Sequence, residues 1–445
     1  MNIVIILIDA LRADHLGCYR YPKKTSPYID RIAEKSILFE NAISQSNWTL
    51  PSLYSLVTGR YPSTLQISWW DQKINDRFTV LPNLLAENGY HTGLYTPFKA
   101  LLNPKSFCSH FNETRQIKTQ DNIPAVMKDW VKRHDNSFLL LHIGEYIHEP
   151  YFADKKYVSM FLDDDIDAEK ISRSNVIDSL TSRTSAFKNI RKLIMKINAG
   201  MIRLSKAEIK YLMSAYDAGI FCVDEIVGQI YNVVREQSKD YLFIITADHG
   251  QAFMEHNFFG HGLSLYEELI HVPLIADFNG RHSLRIPDPV QLMDLCPTIL
   301  DLLQLPPESP LNGDSLMPLL NNRRFPDRGC ISESYPYISF RKADYKLITK
   351  HTRLANAAEI FNPVEKSWKK KLLTRFLHYL PDKLFNLKED AGERRNIRRR
   401  EQAVYRTLVA EINEIAKRFN TVDLKPEEVG IDEEIKKQLI DLGYL

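Results

Sequence analysis

Three long apolar runs mark the chain, at residues 3–8, 137–143 and 241–246. Each run is rich in isoleucine, leucine or phenylalanine and shows little alternation of apolar and polar residues. Continuous apolar runs of this length are typical of parallel strands that are covered on both faces. A further strand is predicted at residues 90–95. The pattern predicts an α/β fold with a mostly parallel central sheet.

The sequence pattern at residues 48–60 predicts a loop that leads into a helix. Thr49 is a favourable N-cap residue, and Pro51 suits the first turn because its missing N–H is not needed there. Gly59 is suited to end the helix in a left-handed conformation. A hydroxyl at a helix start faces unpaired N–H groups, which favour a nearby anionic oxygen. On this stretch alone, an ordinary capped core helix is the simpler interpretation.

Residues that bind metal ions in many proteins follow two of the apolar runs. Asp9 comes directly after the first run, and Asp248 and His249 come after the third, followed by Gly250. Open α/β sheets bind ligands at the carboxyl ends of their strands, so these side chains can converge on one crevice. The alternative for Asp9 is a helix N-cap. His142 lies inside its apolar run and is interpreted as a structural histidine of the core.

Length and composition limit the number of domains, the partners and the cellular compartment that can be expected. The chain has 445 residues, enough for one large α/β domain with a smaller appendage. A net charge of +2 gives no reason to expect a nucleic-acid partner. The five cysteines lack metal-ligand spacing and indicate free thiols in a reducing compartment. There is no basic leader segment, and the run at 3–8 is too short to cross a membrane, so a cytoplasmic protein is expected.

Two basic amphipathic stretches lie at residues 187–197 and 366–380. Both place apolar residues at helical spacing and carry lysine or arginine on the opposite face. For the first, a surface helix packed on the main domain is the simpler interpretation, and a substrate cap or a membrane-touching helix is the alternative. Together they raise the hypothesis of a polyanionic substrate or of peripheral membrane contact.

Four separated segments share the order and spacing of a known family. They are residues 9–17, 48–60, 146–151 and 247–262, and in the second of them Thr49 and the triplet 58–60 are in register. These segments resemble the sulfatase family of the alkaline phosphatase superfamily. The resemblance implies an alkaline phosphatase-like three-layer α/β/α sandwich with a mostly parallel central sheet, and a small C-terminal α+β subdomain.

The same resemblance implies where the chain divides. It places the catalytic domain at residues 1–325, with a variable insert at about 152–205. It places the C-terminal subdomain, with a small antiparallel sheet and a helix, at residues 326–445, with a basic amphipathic insert at about 355–380. Neither insert matches the family pattern.

Four positions depart from the family pattern. Thr49 stands where the family has a Cys or Ser that is converted to formylglycine, and Thr would oxidise to a ketone instead of an aldehyde. Ala10 replaces a second metal-binding Asp, and Leu53 replaces an Arg. Lys99 lies in the stretch that replaces a Gly-Lys-Trp-His motif, and it is the weakest of the candidate substrate-binding residues. These departures favour a phosphorus ester over a sulfate ester as substrate.

The resemblance also implies a metal site with catalytic histidines beside it. The expected ligands of one divalent metal ion are Asp9, Thr49, Asp248 and His249. Two carboxylates and an imidazole suit Mn²⁺ or Zn²⁺ best and leave Ca²⁺ and Mg²⁺ as alternatives. Thr49 is the expected nucleophile. His148 and His261 are expected to bind substrate oxygens and to protonate the leaving group.

Three functions remain open from the sequence. The first is a metal-dependent hydrolase or transferase that acts through Thr49 on a phosphodiester or phosphonate ester, glycan-linked or lipid-linked. The second is a sulfatase that acts on sulfated glycans through an unmodified Thr. The third is a family member that binds a ligand without turnover, although the retained metal-binding residues argue against it.

Overall fold

The computed structural model describes residues 1–67, 69–118, 121–182, 190–280, 283–321, 323–325, 328–334, 336–350, 381–419 and 424–441. The strands, in chain order, are β1 (Asn2–Ile8), β2 (Ile37–Ile43), β3 (Gln72–Lys73), β4 (His91–Thr96), β5 (Glu113–Gln116), β6 (Ser137–Ile143), β7 (Tyr241–Thr246), β8 (Ala252–Phe253), β9 (Phe259–Gly260), β10 (His271–Phe278), β11 (Leu284–Gln291), β12 (Cys330–Ser334), β13 (Tyr337–Lys342), β14 (Tyr345–Lys350), β15 (Lys383–Asn386) and β16 (Glu427–Glu428).

The α-helices are α1 (Pro27–Ala33), α2 (Thr49–Thr58), α3 (Pro62–Leu65), α4 (Leu81–Glu87), α5 (Ile123–Arg133), α6 (Lys155–Phe161), α7 (Ala168–Ser172), α8 (Asn175–Thr181), α9 (Ile190–Asn198), α10 (Lys206–Gln237), α11 (Glu267–Ile270), α12 (Leu295–Leu302), α13 (Met317–Leu320), α14 (Gln402–Phe419) and α15 (Glu433–Asp441). Short 3₁₀ turns lie at Ala13–His15, Gly17–Tyr19, Lys99–Leu102, Phe107–His110 and Leu292–Asp294.

A large eight-stranded sheet forms the centre of the molecule, in the order β11-β2-β10-β7-β1-β6-β4-β5. The three apolar runs of the sequence form β1, β6 and β7, which are buried and lie side by side in the sheet. These strands and their neighbours β4 and β5 pair in parallel, and β10 alone runs antiparallel to both of its partners. The predicted mostly parallel sheet is therefore confirmed, and its strands read as continuous apolar runs because helices cover both faces.

The helices form the outer layers of a three-layer α/β/α sandwich, as predicted. One group, α1, α5, α6 and α8, packs around the 32-residue helix α10. That helix begins at a capping box in which the Ser205 hydroxyl accepts from the Glu208 N–H and the Glu208 carboxylate accepts from the Ser205 N–H. A second group, α4 and α12, packs around α2.

A four-stranded antiparallel sheet, in the order β12-β13-β14-β15, forms a second, smaller unit. Its core is closed by α14, whose Leu408 and Ile412 are buried against Phe340 and Leu347 of the sheet. The predicted α+β subdomain with a small antiparallel sheet and a helix is thus present. The basic stretch predicted at 366–380 lies outside the described residues. Within the described part of the chain, no helix combines the length and the hydropathy needed to span a membrane.

A buried group of charged side chains holds the small sheet against the main domain. Lys346 of β14 has no solvent exposure, and its Nζ lies 2.9 Å from a carboxylate oxygen of both Glu267 and Glu393. Glu267 has a second partner in Arg341, at 2.8 Å. Lys346 therefore neutralises two buried carboxylates at once, and only one of them has another cationic partner among these residues.

We expect Lys346→Met to lower the free energy of unfolding by about 3–5 kcal/mol, because it leaves the Glu393 charge buried without its cation. The control is Lys350→Met on the same strand, where the side chain is partly exposed and the expected change is within about 0.5 kcal/mol. Urea unfolding followed by tryptophan fluorescence measures both values. Equal stability of the two variants would contradict this role of Lys346.

Candidate active site

Candidate ligands meet at the carboxyl edge of the large sheet, where three adjacent strands end. Asp9 follows β1, and Asp248 and His249 follow β7, its neighbour in the sheet. On the other side of β1, His142 of β6 lies in register with Leu7. Because parallel strands end at the same edge, these four side chains come together at the position expected for a ligand site in an open α/β sheet.

The distances within this group are short. The Nε2 atom of His249 lies 3.5 Å from Asp9 Oδ1 and 3.5 Å from Asp248 Oδ2. It also lies 3.5 Å from the Thr49 Oγ1 atom. The other three predicted metal ligands thus surround the Nε2 atom of His249, and all four side chains are buried.

Several polar atoms in this group have no hydrogen-bond partner in the described part of the chain. They are Asp9 Oδ1, Asp248 Oδ2 and the Nε2 atom of His142. Buried polar atoms are almost always paired, because an unpaired one loses its hydration without compensation. Two carboxylate oxygens and an imidazole nitrogen left in this state fit a divalent cation, and ligand atoms of Asp9, His142 and Asp248 lie within 4.8 Å of one another.

The electrostatics of the two carboxylates agree with this fit. Burial raises the pKa of Asp248, and the negative charge of Asp9 raises it further. For Asp9, burial also acts to raise the pKa, but nearby histidines, His148 and His142 first, hold it below the usual range. The carboxylates therefore repel each other across a buried space, and a cation between them removes this repulsion.

The structure places the His142 ring beside Asp9, whereas the sequence analysis interpreted His142 as a structural histidine of the core. Its Nδ1 atom lies 2.8 Å from the Thr96 hydroxyl, whereas its Nε2 atom lies 3.4 Å from Asp9 Oδ2. A strand covered on both faces has no polar face, so the sequence pattern did not show which way this side chain points. The available signal was its place one residue before the end of a strand that pairs with β1.

Thr49 begins α2 but does not cap it. The N-cap residue is Trp48, with an extended backbone (φ −156°, ψ 161°), and no side chain accepts a capping hydrogen bond there. The Thr49 hydroxyl points instead toward His249, so it is available for chemistry and not used by the helix. At the other end, Gly59 adopts the predicted left-handed conformation, with φ of +63°.

Gly144 allows the chain to pass close to Asp9. It follows β6, and a Cβ atom at this position would lie 2.3 Å from the Cβ atom of Asp9. Only a residue without a side chain fits this approach. The segment that starts here continues to His148, so the same contact brings the end of β6 and this histidine toward the metal-binding group.

Three histidines are each oriented through their Nδ1 atoms. His249 Nδ1 donates to the Gly250 carbonyl and His148 Nδ1 donates to the Glu149 carbonyl, both at 2.8 Å. His261 Nδ1 lies 3.0 Å from the Gln251 Oε1 atom. These partners accept hydrogen bonds, so Nδ1 carries the proton in each ring and Nε2 is the nitrogen for metal or substrate.

Gln251 and Glu149 form a hydrogen-bonded pair that orients His261, and the sequence analysis did not identify this pair. The Gln251 amide nitrogen donates to Glu149 Oε2 at 2.9 Å and also contacts the Tyr151 hydroxyl. With its nitrogen engaged in this way, Gln251 presents its oxygen to His261. No local pattern marks these residues, because they lie 102 positions apart in the chain.

His148 and His261 lie side by side, with ring centroids 4.9 Å apart, and His261 also packs against His249 at 4.5 Å. Burial lowers the pKa of His261 well below its usual value, and the charges of His249 and His148 lower it further. Burial acts in the same direction on His148, but the carboxylates of Glu149 and Asp9 outweigh it and raise the pKa. The pKa of His148 is therefore the higher of the two.

Lys99, the remaining predicted substrate-binding residue, lies on a 3₁₀ turn after β4 and forms an ion pair with Glu434 of α15. A substrate would have to compete with this carboxylate for the ammonium group. Among the described residues, no recorded contact joins Lys99 to the metal-binding group.

Comparison with solved structures defines the fold class. A phosphonate monoester hydrolase from Agrobacterium radiobacter superposes with a TM-score of 0.70 and 15% identity, covering 96% of this chain and 99% of that one. A protein solved with its substrate D-glucosamine-2-N,6-O-disulfate superposes with a TM-score of 0.69 and 17% identity, covering 95% and 99%. The fold is that of the alkaline phosphatase-like hydrolases.

Sequence comparison then gives the family. The sequence model of the sulfatase family matches residues 1–305. Arylsulfatase K of Danio rerio is 25% identical in an alignment that covers 89% of this chain and 80% of the relative. The chain belongs to the sulfatase family, as the motifs had indicated.

We expect a divalent cation to stabilise the wild-type protein and not the Asp248→Asn variant. The variant keeps an oxygen to accept from the Ala10 and His249 N–H groups, which Asp248 Oδ1 binds at 3.1 and 2.9 Å. Mn²⁺ or Zn²⁺ at about 100 times its Kd should raise the wild-type unfolding free energy by about 2.7 kcal/mol. Without metal, the variant should be at least as stable as wild type, because the repulsion from Asp9 is gone.

Urea titrations with and without chelator measure both effects. The control is Asp129→Asn on α5, whose side chain is 61% exposed and whose response to metal should equal that of wild type. An equal gain from metal in Asp248→Asn and wild type would place the cation elsewhere.

Proposed function

We propose that the protein is a metal-dependent ester hydrolase or transferase in which Thr49 forms a covalent intermediate with a phosphoryl or sulfuryl group. The observation that supports this most directly is the position of the Thr49 Oγ1 atom, buried and 3.5 Å from His249 Nε2, beside the unpaired oxygens of Asp9 and Asp248. A hydroxyl in that position has no structural task in its helix.

The residues that would hold the cation are Asp9, Asp248, His249 and Thr49, and His142 is a fifth candidate. When bound, a divalent ion lowers the pKa of an adjacent hydroxyl and offsets negative charge on a substrate oxygen. Because the carboxylates of Asp9 and Asp248 are buried, their attraction to a cation is stronger than it would be in water.

The reaction begins when the Thr49 proton has passed to solvent. The Thr49 Oγ1 atom attacks the phosphorus or sulfur, an Oγ1–P or Oγ1–S bond forms, and the bond to the leaving oxygen breaks. His148 gives its proton to that oxygen, which departs as an alcohol. A water molecule or an acceptor alcohol then gives a proton to neutral His148 and attacks the same centre, which restores Thr49 and His148. His261 contacts a substrate oxygen through Nε2.

A phosphodiester or phosphonate ester is the favoured substrate. An unmodified threonine is a sufficient nucleophile for a phosphorus ester, whereas it has no route to the aldehyde that formylglycine supplies. The similarity in fold to a phosphonate monoester hydrolase supports this choice. The second candidate is a sulfated glycan, favoured by the similarity to arylsulfatase K and by the disulfated glucosamine bound in a structural neighbour.

We expect Thr49→Ala to lose turnover by at least about 10³-fold, because the nucleophile is removed. Three nitrophenyl substrates are used: a phosphodiester, a phosphonate monoester and a sulfate monoester. Each is assayed with Mn²⁺ and with Zn²⁺. The control is Ser55→Ala on the same helix, since the Ser55 hydroxyl is also buried and has no recorded partner among the described residues. Its activity should match wild type.

The outcomes separate the candidate functions. Phosphorus ester turnover that is lost in Thr49→Ala supports the favoured function. Sulfate ester turnover alone would overturn the substrate preference and support the glycan candidate. If no ester is turned over while metal binds, the protein is a binding member of the family or a strict transferase that requires its own donor.

We expect His148→Gln to affect substrates according to their leaving groups. Nitrophenolate departs without a proton, so its ester should lose no more than about tenfold in kcat/KM, which reports the first bond cleavage and not the later attack by water. An alkyl ester of the same acid should lose about 10²- to 10⁴-fold, because its leaving oxygen needs the proton. Matched kinetics on the two esters measure the difference.

His256→Gln is the control for this test. His256 lies outside the metal-binding group, with its Nδ1 atom 2.8 Å from Glu268 Oε1. Any effect of this substitution should be the same for both esters. If His148→Gln also lowers both to the same extent, His148 binds substrate without donating the proton.

A further inference from the structure

Helix α9 lies along β9, the short strand that leads directly to His261. Two hydrogen bonds fix this arrangement. The Phe259 N–H donates to the Asn198 Oδ1 atom at 2.7 Å, and the Asn198 side-chain amide donates to the Phe259 carbonyl at 3.0 Å. Asn198 therefore binds the backbone of Phe259 as a neighbouring strand residue would, and the end of α9 is held in place.

The next turn of the helix contacts the next residue of the strand. A Cβ atom placed at Gly260 would lie 3.5 Å from the Cγ2 atom of Ile194, so the helix and the strand are in van der Waals contact there. Ile190 and Ile197 of the same helix are buried. The helix thus packs on the main domain, as the simpler interpretation of this stretch expected.

The direction of the two elements brings Arg191 to His261. Positions 191, 194 and 198 share one face of a helix, because they are separated by three and four residues. Along this face, Asn198 lies at Phe259 and Ile194 lies at Gly260, so the helix runs opposite to the strand. Arg191 lies one further turn along the helix, and His261 lies one further residue along the strand. The two residues therefore come next to each other.

The charges around His261 agree with this placement. The Arg191 side chain is close enough for its positive charge to act on the His261 ring. Arg12, which also lies near the site, forms ion pairs with the carboxylates of Asp14 and Glu255. Arg191 is only partly buried, at the edge of the site.

We propose that Arg191 is a substrate-binding residue that holds an anionic oxygen of the ester beside His261. This inference rests on the proposed function, because it assigns the ester to the site formed by Thr49 and the histidines. A guanidinium group offers several N–H donors in one plane, which matches the oxygens of a phosphate, phosphonate or sulfate group. It would give the segment at about 152–205 a part in recognising substrates.

The first test is kinetic. Arg191→Gln should raise KM about 10- to 100-fold on whichever nitrophenyl ester the wild type hydrolyses. A change of this size corresponds to the loss of one or two charge-assisted hydrogen bonds. The change in kcat should be much smaller, because the chemical groups remain in place. Arg191→Lys should recover part of the loss, and the salt dependence of kcat/KM should weaken in Arg191→Gln.

Two control variants separate binding from structure. Lys192→Gln removes a charge from the adjacent residue, which is exposed, and should leave KM unchanged. Asn198→Ala removes the hydrogen bonds to Phe259 and should raise KM while Arg191 is still present. An Arg191→Gln variant with wild-type KM, or one that loses kcat and thermal stability while KM is unchanged, would overturn the proposal.

A binding measurement keeps this inference separate from the proposed function. Calorimetric titration of metal-loaded Thr49→Ala protein with inorganic phosphate or sulfate requires no turnover. The affinity should fall about 10- to 100-fold when Arg191→Gln is added to that background. Unchanged anion affinity would overturn the role of Arg191 even in an active enzyme. A lowered affinity in a protein that hydrolyses no ester would overturn the proposed hydrolysis of these esters and keep the anion site.

Discussion

Two buried carboxylates set the main constraint on this structure. Asp9 and Asp248 follow adjacent parallel strands and lie together in a largely buried space, and each keeps one oxygen without a hydrogen bond from the described residues. Burying a single unpaired charge is costly, and burying two like charges together costs more. The sheet tolerates them because imidazoles surround them, and because the arrangement suits a divalent cation. The order of the strands, the close passage at Gly144 and the start of α2 all serve to bring these groups together.

The parts of this arrangement that are local in sequence were predicted from it. The apolar runs that became β1, β6 and β7 are long and continuous, and a strand end in a parallel sheet always lies at the same edge, so Asp9, Asp248 and His249 were expected to converge. The role of His142 was not predicted. Its neighbours on both sides are apolar because both faces of β6 are buried, so periodicity could not show that its ring turns toward Asp9. For Thr49 the helix was predicted correctly, but its prediction as the N-cap residue was wrong, because Trp48 takes the cap position.

The parts of the site that depend on contacts between residues far apart in the chain could not be predicted from the sequence in this way. Gln251 orients His261 only because its amide nitrogen is already engaged by Glu149, and these two residues belong to segments far apart in the chain. The motifs that indicated the family do not include the segment that carries α9. Its amphipathic face predicted a packed helix, but the strand it packs on is two residues long and carries no sequence signal of its own. The direction of α9, and with it the position of Arg191, follows only from the folded arrangement.

The site therefore combines two kinds of recognition that come from different parts of the chain. The strand ends supply a compact charged centre that fits the reacting group of any small anionic ester, and they say little about what the ester is attached to. The adjacent helix belongs to the segment at about 152–205, and in our proposal it brings the Arg191 guanidinium group to the edge of that centre. His261 packs against His249 and directly follows the strand that α9 contacts, so it lies between the two. A family in which the sheet edge is retained and the neighbouring helix varies can change its substrates without changing its chemistry.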